Sequence, residues 1–101
     1  MLEQEKKAIE LFAKYADSNN LYSSIPGLMR KLGEEQGELV QATMEYNAEK
    51  AGEEAADMII LLFDIINKMG SKKGILRHVD EKLKVLEDRW SKKGQIGRNR
   101  P

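Results

Sequence analysis

Apolar residues recur at three- and four-residue intervals along nearly the whole chain, and strict polar/apolar alternation is absent. That periodicity puts one stripe on an α-helix and excludes half-buried strands. It predicts helix 1 over about Leu2–Ala16, with Ile9, Phe12, Ala13 and Ala16 on its buried stripe. Asp17-Ser18-Asn19-Asn20 ends it with residues that favour turns and caps. Ser23-Ser24 followed by Pro26 reads as the next helix start, because proline suits a first turn where its missing N–H is not needed. Helix 2 is expected over about Pro26–Tyr46 and helix 3 over about Glu49–Met69, stopped by Gly70-Ser71. Helix 4 is expected over about Ile75–Ser91, with Ile75, Leu76, Val79, Leu83 and Leu86 as its apolar face. The sequence thus describes one all-α, four-helix bundle-like domain over residues 1–91, then a basic, mobile tail over 92–101.

Helix 3 is apolar over most of its circumference between Met58 and Ile66. Three neighbouring helices on so short a chain would struggle to cover it. A second subunit is the expected remedy, as a homodimer or a dimer of dimers.

Superposed on this pattern are acids that the apolar stripes do not explain. Glu34, Glu35 and Glu38 stand on helix 2, Glu54 and Asp57 on helix 3. In an antiparallel hairpin turning at Tyr46, Glu35 faces Asp57 and Glu38 faces Glu54, one helical turn apart. Projected at about 100° per residue, Glu54 falls inside the apolar stripe and Glu35 on its margin. Glu38 and Asp57 fall on the rim, and Glu34 points outward. Inward carboxylates are costly unless paired or metal-bound, and no Lys or Arg of helices 2 and 3 shares the apolar arc. All-oxygen ligands select a hard ion, so Mg²⁺ is expected, with Mn²⁺ as a substitute. A di-iron site would need Glu-x-x-His pairs, and the single histidine, His78, has Ile75 three residues before it. Asp64 lies opposite Leu28, is not needed by the cage, and should tolerate alanine.

Bulk composition narrows the functions further. Charged residues are 34% of the chain and sum to zero, so no global pull on nucleic acid or an anionic membrane is indicated. There is no cysteine for thiol chemistry or a Cys-based zinc site, and no apolar run long enough to cross a bilayer. A soluble, cytoplasmic protein is the expectation. The tail's Lys92, Lys93, Arg98 and Arg100, with Arg89 before them, lack an accompanying nucleic-acid reading motif.

Glu34-Glu35-x-x-Glu38 followed by Glu54-x-x-Asp57, set in KLGEEQGEL and EEAADMIILLF, resembles the signature of the all-α nucleoside triphosphate pyrophosphohydrolases, in particular the MazG branch. KLKVLEDRW resembles that group's last helix, so the resemblance spans about Leu28–Trp90. It implies Mg²⁺-dependent hydrolysis of a (deoxy)nucleoside triphosphate to monophosphate and pyrophosphate, in a house-cleaning or pool-control role. It also implies metal ligation by Glu35, Glu38, Glu54 and Asp57, with Glu34 holding or activating water or completing the metal shell. Lys82 and Arg89 match basic positions of the last helix and are expected to clamp phosphate, together with Lys31 near the metal rim. Leu86 stands where the family often has asparagine. Phe12, Tyr15, Tyr46 and Trp90 are available for base stacking, and Gly33 and Gly37 could mark a close approach by a helix or ligand. The competing expectation is a helical interaction or regulatory module that retains the fold without catalysis.

Overall fold

The computed structural model of the chain describes residues 1–15 and 24–97. They form four α-helices and, among the described residues, no strand: α1 Glu3–Tyr15, α2 Ile25–Met44, α3 Ala48–Lys68 and α4 Ile75–Gly97. Helix α2 starts where the serine–proline signal stands. Ser24 is its extended N-cap, and the hydroxyl accepts from the Gly27 N–H at 3.1 Å.

The hairpin between α2 and α3 turns at Tyr46, whose φ is +54°. Its N–H donates to the Thr43 carbonyl, and the Asn47 N–H donates to Ala42 at 3.0 Å. This is a Schellman closure with tyrosine in the left-handed position that glycine usually takes. Asn47 then caps α3, its side chain accepting from the Lys50 N–H. One residue therefore ends the turn and begins the helix. The end of α3 closes in the same way with Gly70 at φ +96°, the Ser71 N–H donating to Ile66.

Helix α3 is central, with α2 and α1 both packed on it. The core is small. Leu28, Leu61 and Ile65 are its buried centre, flanked by Phe12, Leu32, Leu62 and Ile66. On α1 the buried positions are Glu5 and Ala8, with Ile9 and Phe12 half-buried, while Ala13, expected inside, is exposed.

Helix α4 departs furthest from expectation. It runs to Gly97 rather than ending at Ser91, so the first part of the expected tail is helical, and 98–101 lie outside the described residues. Its first turn is half-buried at Ile75, Leu76 and His78, but Val79, Leu83 and Trp90 are exposed. The helical pattern correctly marks an apolar stripe there, yet most of that stripe is not covered by the described residues. The start of α4 is tied down by Glu5, a fully buried carboxylate whose Oε2 accepts from the Ile75 N–H at 2.9 Å. Gly74, at φ +84°, passes so close that a Cβ would meet the Glu5 carboxylate. Ser71 Oγ and His78 Nε2, 3.1 Å apart, and the Lys73–Glu81 pair add further ties.

Candidate metal centre

Four of the five acids gather where the hairpin register brings α2 and α3 face to face. Glu35, Glu38 and Glu54 each present a carboxylate oxygen, and the three oxygens lie within 4.8 Å of one another. Glu35 and Glu54 are each 6% exposed, and Glu38 is exposed on the rim. Asp57 is exposed beside Glu35, close enough for the two carboxyls to influence each other's protonation. Glu34 points to solvent. Asp64, placed at the edge of the apolar arc by its angle, is instead almost wholly buried and bonded to Lys68 Nζ at 2.6 Å. The short Asp64 side chain is covered because α2 packs over that part of α3 at Leu28.

Electrostatics confirm how crowded the site is. Glu54 is pushed up to about 7, first by hydrogen bonding to Glu35, then by Glu38 and by burial. Glu35 is held below the usual carboxylate range, chiefly because it accepts from Glu54, with help from Lys31. Asp57 is raised by burial and by the charge of Glu35. A proton held on Glu54 would relieve part of the repulsion between the two carboxyls. It does not satisfy everything: Glu35 Oε2 and Glu54 Oε2 are buried without a hydrogen-bond partner. Orphaned carboxylate oxygens on facing helices are what a divalent cation would satisfy, so the donor set fits Mg²⁺ or Mn²⁺.

Two lysines reach this site. Lys31 Nζ lies 3.3 Å from Glu35 and 3.5 Å from Glu34, and Lys50 Nζ lies 3.8 Å from Glu54. This corrects the expectation that no cation of α2 or α3 neutralises the inward acids. Both Cα positions lie off the apolar arc, but a long lysine stem carries its ammonium back across one helical turn. The i,i+4 spacing of Lys50 to Glu54 was the available signal.

Beside the carboxylates is a pocket of about 210 Å³ lined by Phe12, Lys31, Glu35, Asp57, Ile60 and Leu61. Of the aromatic candidates, Phe12 is therefore next to the acids, whereas Tyr46 is 95% exposed at the hairpin tip and Trp90 is exposed on α4. Lys82 and Arg89 are exposed on α4 and are not among the residues lining that pocket. Gly33 and Gly37 have open space where a Cβ would stand, so no helix of the same protomer requires them. Comparison with protein-family models, curated proteins and solved structures gave no match.

Proposed function

We propose that the protein is a Mg²⁺-dependent nucleotide pyrophosphohydrolase that converts a (deoxy)nucleoside triphosphate to its monophosphate and pyrophosphate. One observation carries the reading: Glu35, Glu38 and Glu54 converge from two helices with two buried carboxylate oxygens left unpartnered. The EExxE and ExxD spacing of the same residues supports it through the resemblance to the MazG branch of the all-α pyrophosphohydrolases.

Glu35, Glu38, Glu54 and Asp57 would hold the ion, with Glu35 Oε2 and Glu54 Oε2 as its buried donors. The bound ion supplies charge neutralisation of phosphate oxygens and acidification of water. Glu34, beside these carboxylates and exposed, would hold a water or take its proton. Lys31 spans from Glu34 to Glu35 and can turn its ammonium toward a phosphate at the pocket mouth. Phe12, Ile60 and Leu61 offer an apolar wall for the non-phosphate part of the substrate.

The test is incubation of the full chain with a panel of dNTPs and NTPs plus Mg²⁺, with monophosphate and pyrophosphate quantified. Turnover of at least one nucleotide is expected, and its loss in Glu54→Gln. Turnover that persists undiminished in Glu54→Gln would refute the assignment. Absence of turnover together with no Mg²⁺-dependent thermal stabilisation favours the non-catalytic interaction module.

A further inference from the structure

Glu5 is only half explained by its place in the fold. The side chain is 1% exposed, and its Oε2 accepts from the Ile75 N–H at 2.9 Å. Capping the start of α4 needs that one oxygen. The other, Oε1, is buried and has no hydrogen-bond partner among the described residues. A buried carboxylate oxygen without a donor is costly, so the position calls for a donor from outside the chain.

There is room for one. Glu5 lines a cavity of about 210 Å³ between the start of α1 and the first turn of α4. It shares no residue with the pocket beside Glu35 and Asp57. Met1, Leu2 and Leu76 give the cavity an apolar wall, and the exposed Lys73, Arg77 and Asp80 complete its lining. Lys73 Nζ is already paired with Glu81 at 2.7 Å, so Arg77 is the cation assigned to a ligand.

Size and charge then select the ligand. The cavity is smaller than the roughly 300–1,000 Å³ of sites for drug-sized molecules, so a nucleotide is too large and a small metabolite fits. Two carboxylates, Glu5 and Asp80, balance two cations, Lys73 and Arg77. A polyamine would be repelled by the cations and a polyphosphate by the carboxylates, whereas a ligand with one charge of each sign is matched.

We propose that this cavity is a binding site for a free α-amino acid with an apolar side chain. Its ammonium donates to Glu5 Oε1, its carboxylate accepts from the Arg77 guanidinium, and its side chain lies along Met1, Leu2 and Leu76. The site is independent of catalysis at the acids of α2 and α3.

Titration of the full chain with L-leucine, L-methionine and L-valine in turn, followed by NMR of the backbone amides, tests it. Saturable shifts centred on Leu2, Glu5, Leu76 and Arg77 are expected with at least one of them. Isoamylamine carries only leucine's ammonium and isocaproate only its carboxylate, and each should bind about tenfold or more weakly than leucine. Glu5→Gln keeps an oxygen for the Ile75 N–H and should weaken leucine and isoamylamine alike. Should that variant fail to fold, Arg77→Ala, at an exposed position, still decides. It should weaken leucine about tenfold and leave isoamylamine unchanged. Absence of saturable shifts with all three amino acids overturns the proposal. So does isoamylamine binding as tightly as leucine, which would make this a simple cation site, and so does leucine affinity unchanged in Arg77→Ala.

Discussion

Glu54 sits where folding and the proposed metal binding would ask opposite things of one carboxyl. In the unfolded chain it titrates at its ordinary 4.5, and in the folded protein at about 7. Between those values the folded state keeps a proton the unfolded state has lost, so this group's contribution to stability declines as pH rises through that window. Asp57 acts in the same direction, whereas Glu35, shifted down, acts oppositely and only below 4.5. Metal-free protein should therefore lose thermal stability from about pH 5 to about pH 7, and the gain on adding Mg²⁺ or Mn²⁺ should grow over the same range, because the ion competes with the proton on Glu54. Melting curves in chelator and in metal check both slopes; a metal increment that is flat or falling with pH would contradict them. Asp64 is a contrasting case. Its sequence position suggests that alanine is harmless, but its burial against Lys68 changes the expectation. Asp64→Ala should cost about 1–3 kcal/mol in denaturant unfolding, through loss of a buried charged hydrogen bond. The metal-induced shift in melting should persist, which separates a structural acid from the ligand set.

At the scale of elements, two of the left-handed positions, Tyr46 and Gly74, make opposite demands. Tyr46 adopts φ +54° with its side chain almost wholly exposed, so it carries backbone strain without packing in return. Tyr46→Gly should raise stability by about 1 kcal/mol. Gly74→Ala should do the reverse and lower it by more than about 1 kcal/mol, since strain at φ +84° adds to collision with the Glu5 carboxylate. Equal effects from the two substitutions in chemical unfolding would contradict this account. The same elements show what the sequence could and could not disclose. Helix starts were legible because Ser24 and Pro26 act locally, and the hairpin centre was legible because facing acids fix the register at Tyr46. Helical periodicity put Glu35 and Glu54 on the inner side, where both are buried, and Glu34 outside, where it is exposed. Glu5 was not legible. Its partner lies 70 residues away, and a glutamate on the first turn of a helix looks like an ordinary dipole-favouring acid. The end of α4 was missed because Gly94 resembles a stop, yet helical hydrogen bonding continues through it to Gly97. Lys50 was missed because projection places Cα atoms, while its ammonium sits one turn away.

At the scale of the molecule, the apolar groove between α1 and α3, walled by Leu11, Ile59, Ile60 and Phe63, and the carboxylate site are neighbours. Ile60 lines both the apolar groove and the pocket beside Glu35 and Asp57. Lys82 and Arg89, seven residues apart, share one face of α4. If the expected second copy brought its α4 to that groove, the cations that the resemblance assigns to phosphate binding would act in trans. Two variants give a direct check. Glu54→Gln removes a metal ligand and Arg89→Ala removes a cation, and each homodimer should have little activity. Co-refolded at equal amounts, half of the dimers are mixed, and each mixed dimer pairs intact carboxylates from one chain with an intact α4 from the other. About a quarter of all sites should regain full turnover. If Arg89 served its own chain, the mixed dimer would hold one site lacking the ligand and one lacking the cation, and mixing would restore nothing.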